Sequence, residues 1–391
     1  MVLKSIRNNV RQYAIGVAFV VIILLFWVVT GGTFLSPRNV NNIIQQNSYV
    51  LILATGMLLC ILTGNVDLSV GSVVAFVGAV TAVLIVNLGF PVWLVIPVGL
   101  MMGLLVGAFQ GFFIAYLRIP AFIVTLAGML TFRGLTMVIL QGQTVGPLPK
   151  DYTFLAADWL PAISELKVGN ETINLLAVLC GAALSVFFMF TVFRRRRNRI
   201  KYQFEVGSVW IDIVKLCAII AVVGVVTITL ARYNGIPTVM MMLTLIIAIY
   251  TFITQRTISG RHIYALGGNE KAAMFSGVKT RRVLFFVYVN MGLLAALAGI
   301  AVAGRLGAAT PKAGNGYELD AIAACFVGGA SASGGIGTVA GAIIGALVMG
   351  VLNNGMSIMG VSVDWQQAIK GFVLLAAVTF DVLSKNRNLQ G

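Results

Sequence analysis

The sequence predicts an all-α, polytopic helical membrane protein with about 10–12 transmembrane helices. These helices are expected to form an inverted five-plus-five repeat with an inserted helical hairpin. Hydrophobic residues make up 59% of the 391 positions and charged residues only 10%, which is more apolar surface than a soluble domain can bury. The other two observations are a series of apolar segments of membrane-crossing length and a four-residue glycine spacing in two of them. The whole chain, 1–391, is interpreted as a single transmembrane domain.

Twelve segments are candidates for crossing the hydrocarbon core, for which a helix needs about 20 residues. The tenth is short and glycine-rich, which predicts a broken or re-entrant helix. The first is interpreted as a span rather than a signal peptide, because no small-residue cleavage site follows it. The segments lie at roughly 13–30, 48–63, 71–87, 92–116, 121–141, 172–193, 211–231, 236–255, 283–303, 318–330, 337–355 and 365–383.

The net charge of +15 follows from the topology of such a protein. Cytoplasmic loops of membrane proteins collect Lys and Arg, so the charge does not call for a nucleic-acid partner. With the N-terminus in the cytoplasm, eighteen basic residues fall in inner loops and tails and six in outer loops. Both termini and the polar segment 260–277 are therefore predicted to be cytoplasmic. Arg133, Lys215 and Lys370 remain inside predicted spans.

Two predicted spans carry small residues at every fourth position, which makes one flat helix face for close packing. The matching position of these two spans in the two halves predicts an inverted repeat, with a first repeat at about 13–141 and a second at about 236–383. The alternative is a chance similarity between small apolar residues. The helix-packing glycines are Gly99, Gly103, Gly107, Gly111, Gly337, Gly341 and Gly345.

The segment at about 172–231 interrupts this repeat and is predicted to be an inserted hairpin. Its loop, Arg194–Lys201, is strongly basic. Such a cluster either binds anionic membrane lipid or anchors the topology, and the anchoring role is favoured.

The chemistry-bearing motifs of enzymes are missing from the sequence. It contains no GxxxxGK[ST], GxSxG or HExxH pattern, so no ATP site of its own and no hydrolytic centre is expected. The four cysteines lie inside apolar stretches, and His262 is the only histidine. No metal, no cofactor and no enzymatic activity are therefore predicted.

Polar residues at the ends of spans and within them are candidates for lining a substrate path, since polar groups at membrane depth are costly unless they face protein or water. For each one singly, capping a helix is the favoured alternative. Arg133 either lines the path or binds carbonyl groups of a broken helix. Apart from Arg133, no plainly mid-span charge is found, which argues against ion coupling. The candidates are Asn65, Asp67, Ser69, Gln110, Arg133, Asn315, Glu318, Asp320, Asn353 and Asn354.

Segment 260–277 is a polar island between two apolar spans. It is interpreted as a basic approach, a glycine turn, an Asn269 helix cap, a short Ala-rich helix and a Ser-Gly stop. A loop that only connects two spans needs no capped helix, so this one is expected to offer a contact to a soluble partner.

Four motifs in this order resemble those of a known family. Thr63–Ser72 contains a "DLSVGS" signature, and Ile119–Met129 resembles a "PxFIVTLGM" segment. Tyr264–Glu270 and Gly316–Ala324 complete the set. The chain is similar over nearly its whole length to the membrane permease subunits of bacterial monosaccharide ATP-binding-cassette importers. The hairpin at 172–231 resembles the longer, xylose-type subgroup.

The resemblance implies a homodimer that works with ATPase subunits and a periplasmic sugar-binding protein in the bacterial inner membrane. It also implies that the polar island contains the coupling helix, capped by Asn269. The coupling residues would then be Gly267, Gly268, Asn269, Glu270, Lys271, Ala272, Ala273, Ser276 and Gly277.

The predicted function is the import of a monosaccharide by alternating access, energised by the separate ATPase. The alternatives are a carrier of the same architecture for another solute such as a branched-chain amino acid, an ion-coupled secondary carrier, and a membrane scaffold without transport.

Overall fold

A computed structural model describes residues 10–161, 164–168, 171–204 and 208–389. The protein is all-α, as predicted. Its sixteen described α-helices are α1 (Val10–Val29), α2 (Pro37–Gln46), α3 (Ser48–Leu62), α4 (Val70–Val86), α5 (Val92–Ala115), α6 (Ala121–Leu140), α7 (Lys150–Thr153), α8 (Leu175–Lys201), α9 (Val209–Ala231), α10 (Thr238–Arg256), α11 (Ile258–Gly268), α12 (Glu270–Phe275), α13 (Thr280–Leu306), α14 (Tyr317–Val327), α15 (Val339–Ile358) and α16 (Val363–Leu389). Strands β1 (Glu165–Val168) and β2 (Glu171–Asn174) form one antiparallel hairpin.

Each of the twelve predicted apolar segments contains a helix. Within the described ranges, seven helices are long and apolar enough to cross a membrane, or up to eight if the bent pair α2–α3 counts as one span. The count of 10–12 spans stays a prediction. Helix α14 has 11 residues, about 16 Å at 1.5 Å per residue, so it is the short helix expected there. The predicted cytoplasmic ends of the chain, at 1–9 and 390–391, lie outside the described residues.

The ends of the helices follow local sequence signals. Prolines immediately precede α5, α6 and α10, and Pro37 occupies the first turn of α2, where its missing N–H is not needed. Ser36 caps α2 by accepting a hydrogen bond from the backbone of Asn39.

Helix α3 is the centre of the bundle, because all fifteen of its residues are buried. It packs against α13, α14 and α15, while α4, α5 and α13 form the adjoining layer. The helix is therefore enclosed by protein rather than lipid.

The two ends of the bundle are identified by chain contacts. The backbone of Gly235 lies against the side chain of Asn174, so α8 and α10 begin at the same end. Lys201 and Arg256, at their other termini, therefore lie at the opposite end. We call this end, which carries residues 194–204 and 257–282, the basic face; the other end is the far face. The cluster Arg194–Lys201, predicted to be the loop of the hairpin, is the C-terminal part of α8.

The glycines of α5 permit close contact with α13. A Cβ added at Gly103 or Gly107 would overlap the carbonyl oxygens of Gly292 and Tyr288, respectively. Gly99 and Gly111 lie on the same side, against Ile300 and Phe285. Backbone contact at this distance is possible only because neither helix has a side chain there.

The second glycine series differs from the prediction. Gly341 and Gly345 of α15 lie against Gly328 and Ala324, and so pack within their own half of the chain. Gly337 is not part of the helix face, because α15 begins after the N-cap residue Thr338. Its φ of +154° and its contact with Leu58 place it in the preceding loop.

Helices at matching positions of the two predicted repeats make matching contacts. Contact α5–α13 corresponds to α3–α15, α4–α6 to α14–α16, and α4–α13 to α3–α14. The two glycine series are not equivalent in the same way, since they face different partners. The five-plus-five repeat stays a prediction.

Helices α8 and α9 form a hairpin whose closest approach is at Gly181, against the side chain of Thr227. Near the basic face, Arg196 forms a 2.6 Å ion pair with Asp212. Most of the side chains of both helices lie outside the core. The hairpin is thus a peripheral addition to the bundle around α3.

We expect Gly107→Ala to lower the free energy of unfolding by about 1–3 kcal/mol, because the added methyl group must separate α5 from α13. Thermal unfolding in detergent measures the change. Gly134→Ala in α6 is the matched control, since a Cβ there meets nothing within 4 Å. An equal stability change in the two variants would contradict close packing at Gly107.

Candidate functional site

The irregular segment between α3 and α4, residues 63–69, begins at the basic face and turns back into the bundle. Asp67 stabilises this turn: its Oδ1 accepts hydrogen bonds from the backbone N–H of Ser69 at 2.8 Å and from the Ser69 hydroxyl at 2.6 Å. Gln110 of α5 donates to the Ser69 hydroxyl at 2.8 Å. All three side chains are buried and bonded to one another. They hold the start of α4 and do not face an open path.

A second irregular segment, residues 307–316, enters from the far face. It meets the first turn of α4 at Gly314 and Gly71, where a Cβ on either glycine would overlap the carbonyl oxygen of the other. Arg133 of α6 donates to the carbonyl of Ala313 at 2.7 Å. This hydrogen bond is of the kind expected for the second role, binding carbonyl groups of a broken helix, while the first role, lining the path, stays a prediction.

Glu318 and Asn315 lie beside this crossing. Glu318 Oε2 is buried and has no hydrogen-bond partner among the described residues, and a Cβ on Gly71 would overlap it. Asn315 is exposed. The crossing thus keeps one free acceptor close to the middle of the bundle.

Two further polar candidates, Asp320 and Asn353, belong to one network. This buried carboxylate pairs with Lys370 Nζ at 3.0 Å and accepts a hydrogen bond from the Tyr49 hydroxyl at 2.8 Å. Asn353 donates to it at 3.4 Å. The network joins α3, α14, α15 and α16, and it corrects the expectation that no charge pair lies within the spans.

Asn354 pairs with Asn39 of α2. Each amide donates to the other, at 2.9 and 3.1 Å, and both side chains are buried. The pair ties the re-entering helix α2 to α15. Asn354 therefore serves packing rather than a path.

Asn65 is the path candidate that borders open space. It lines a cavity of about 310 Å³ and a neighbouring one of about 260 Å³, both at the basic face. The first is bordered by Pro120, Phe122 and Phe326, and the second by polar residues including Arg118 and Glu270. The two irregular segments 63–69 and 328–338 both contribute to the wall of the first cavity.

The polar island folds as two helices. Asn269 caps α12 as predicted, accepting a hydrogen bond from the backbone of Ala272 at 2.9 Å. Gly277 follows the helix with φ +85°. The approach is not a loop with a glycine turn: residues 258–268 form α11, and Gly267 and Gly268 are its last residues.

The surface that α12 presents differs from the expected one. Ala273 is buried at 5% exposure, whereas Phe275 is 84% exposed. Glu270, Lys271, Ala272 and Ser276 are also exposed. The sequence analysis did not single out Phe275. The signal that it missed is an apolar residue at the end of a capped helix.

Glycines connect this segment to the cavity wall. A Cβ on Gly267 would overlap the carbonyl oxygen of Leu62 and lie 2.7 Å from the backbone nitrogen of Gly335. The Gly335 N–H donates to the Leu62 carbonyl at 2.9 Å, and the Tyr264 hydroxyl donates to the Gly337 carbonyl at 2.7 Å. We call this contact of α11 with segments 62–64 and 334–337 the glycine junction.

Comparison with known proteins identifies the family. The protein family described as the permease component of the branched-chain amino acid transport system matches residues 39–378. The chain belongs to this family. It is therefore a multi-pass membrane protein of the transport-permease type.

Several curated relatives match along nearly the whole chain. The chain is 41% identical to the xylose transport system permease protein XylH of Escherichia coli K12 over 386 residues, which cover 99% of the chain and 95% of that protein. It is 37% identical to XylH of Haemophilus influenzae, over 98% of the chain and 99% of that protein. It is 36% identical to the ribose import permease protein RbsC of Escherichia coli K12, over 89% of the chain and 87% of that protein. The search of solved structures finds no match.

We expect Lys370→Met to lower the free energy of unfolding by about 3–5 kcal/mol, since it leaves Asp320 as a buried charge without its cation. The double variant Asp320→Asn with Lys370→Met removes both charges and should recover most of that loss. Thermal unfolding in detergent is the measurement, with Lys215→Met, an exposed lysine in α9, as the control. If the double variant were no more stable than Lys370→Met, the loss of stability would not come from the unpaired charge of Asp320.

Proposed function

We propose that this chain is the transmembrane permease subunit of an ATP-binding-cassette importer that moves a monosaccharide across the bacterial inner membrane. The observation that carries the proposal is the capped helix α12, which exposes Phe275 while the adjoining α11 is joined to the wall of the Asn65 cavity. The names of the xylose and ribose relatives support a sugar as the substrate.

The energy enters from a separate ATPase subunit. Its closure on ATP displaces α12, with Phe275 as the apolar contact and Glu270 and Lys271 as charged contacts around it. Asn269 caps α12 and so stabilises the helix while it is displaced.

The glycine junction passes the displacement on. Because Gly267 is in backbone contact with Leu62 and Gly335, a shift of α11 moves both segments that border the Asn65 cavity. The two halves then alternate between access from the basic face and access from the far face. In this mechanism the basic face is cytoplasmic, and the periplasmic sugar-binding protein docks at the far face of a homodimer.

The residues of the path are those that border space or lack a partner. Asn65 offers an amide to sugar hydroxyl groups in the cavity, and Glu318 offers a carboxylate oxygen without a partner among the described residues, near the contact of Gly71 with Gly314. Amides and carboxylates suit a hydroxyl-rich solute, whereas a purely apolar cavity would suit a branched-chain side chain.

An ion-coupled secondary carrier is the second candidate, because of the buried Asp320–Lys370 pair. Ionisable residues within membrane spans often belong to ion pathways. Here Tyr49 and Asn353 donate to Oδ2 of the Asp320 carboxylate and hold it within the bundle, which favours a structural role.

We expect Phe275→Ala to reduce coupled transport and ATPase stimulation at least about tenfold, as loss of an apolar interface anchor costs more than about 1.4 kcal/mol. Expression and thermal stability should stay at wild-type values, because Phe275 is almost fully exposed. Phe204→Ala, at another exposed phenylalanine of the basic face, is the matched control. Wild-type ATPase stimulation in Phe275→Ala would refute the docking role.

Reconstituted vesicles decide between the two sources of energy. Vesicles that contain the chain, the ATPase subunit and the sugar-binding protein should accumulate sugar only with ATP. Uptake by the chain alone under an ion gradient would instead establish the secondary carrier. Xylose, ribose and a branched-chain amino acid are offered in parallel to identify the solute class.

A further inference from the structure

A cavity of about 370 Å³ lies at the basic face, between α11 and the start of α13. It is separate from the two cavities that Asn65 borders. Its lining residues are Ser259, His262, Gly277, Lys279, Arg282, Val283 and Phe286.

The cavity has a positive wall. Lys279 and Arg282 face it from α13, and His262 faces it from α11. None of the seven described residues that line it is acidic. The side chains of these three residues also form no hydrogen bond or ion pair with any other described residue. Two cationic side chains and one imidazole, without a partner among the described residues, favour an anion, and the cavity has room for a phosphate group.

The rest of the lining is apolar and continues along the helix. Residues 279, 282, 283 and 286 share one face of α13, since positions three, four and seven apart are neighbours on a helix. Helix α13 is long and apolar enough to cross a membrane. Phe286, at 37% exposure, therefore lies deeper in the bilayer than Lys279 on the same face.

We propose that this cavity binds the phosphate headgroup of an anionic phospholipid, with one acyl chain along Val283 and Phe286. A soluble anion would contact only the basic residues of this surface, whereas a lipid contacts both the basic and the apolar residues. The phosphate contacts α11 through His262 and α13 through Lys279 and Arg282. The bound lipid thus bridges the two helices on either side of α12, independently of the proposed transport function.

The test uses the full-length chain in detergent with the reporter Phe286→Trp and phospholipids brominated on their acyl chains, which quench a nearby tryptophan. The fluorescence loss of the protein that retains Phe286 is subtracted from that of the Phe286→Trp variant, which gives the quenching at the reporter alone. Brominated phosphatidylglycerol should bind with about thirtyfold lower affinity when Lys279→Gln and Arg282→Gln are added. This estimate follows from about 1 kcal/mol for each basic residue at an anionic surface and 1.4 kcal/mol for each tenfold change.

The matched control is Arg195→Gln with Arg199→Gln, which removes two exposed basic residues from the C-terminal part of α8. It should leave the affinity unchanged. Brominated phosphatidylcholine, which has no net charge, should quench the reporter equally with and without Lys279 and Arg282. Inorganic phosphate is the competitor that separates the two sources of a phosphate group, and it should not displace the brominated lipid.

Equal affinity for phosphatidylglycerol with and without Lys279 and Arg282 would overturn the proposal. Displacement by inorganic phosphate would overturn it in favour of a soluble anion. If the double variant lost an ATPase partner during purification while its lipid affinity was unchanged, the basic groups would serve that protein and not a lipid.

Discussion

The structure depends on satisfying backbone polar groups where helices break inside the bilayer. No water is available there, so irregular segments are tolerated only when they are enclosed by protein. Residues 63–69 and 307–316 meet this condition in the same place. Asp67 and Ser69 order the first segment and Arg133 binds a carbonyl group of the second, which touches the first turn of α4 through Gly314 and Gly71. Short helices such as α4 and α14 can begin within the bundle because these contacts replace a helical turn.

This constraint explains why most intramembrane polar side chains are structural. Gln110, Asp320, Asn353 and Asn354 are buried and bonded to protein groups, so they stabilise the arrangement of the helices. A buried polar group that pairs internally adds specificity to the packing, whereas an unpaired one is costly. Among the path candidates, Asn65 borders a cavity, and Glu318 Oε2 and Asn353 Oδ1 are buried atoms without a hydrogen-bond partner among the described residues.

In two places of the bundle, the missing side chain of glycine permits close backbone contact. Between α5 and α13, glycines bring two long helices into backbone contact and so create a rigid layer. At the glycine junction, Gly267, Gly334 and Gly335 bring α11 against the segments that line the Asn65 cavity. In the proposed mechanism, a displacement of α12 passes to these segments through their backbone contacts with α11.

The apolar helices, the Asn269 cap and the short helix α14 were predictable from the sequence, because each depends on residues close together in the chain, whereas helices α2, α7 and α11 were not predicted. Hydropathy over about 20 residues sets a span, and one side chain sets a cap. Tertiary structure alone decided the pairing of Asp320 with Lys370, which are 50 positions apart, and of Asn39 with Asn354, which are 315 apart. It also decided that Ala273 is buried and Phe275 exposed, and that Gly337 lies outside its helix. Local patterns carry no information on which distant helix will cover a given face, so these outcomes follow from packing and not from spacing.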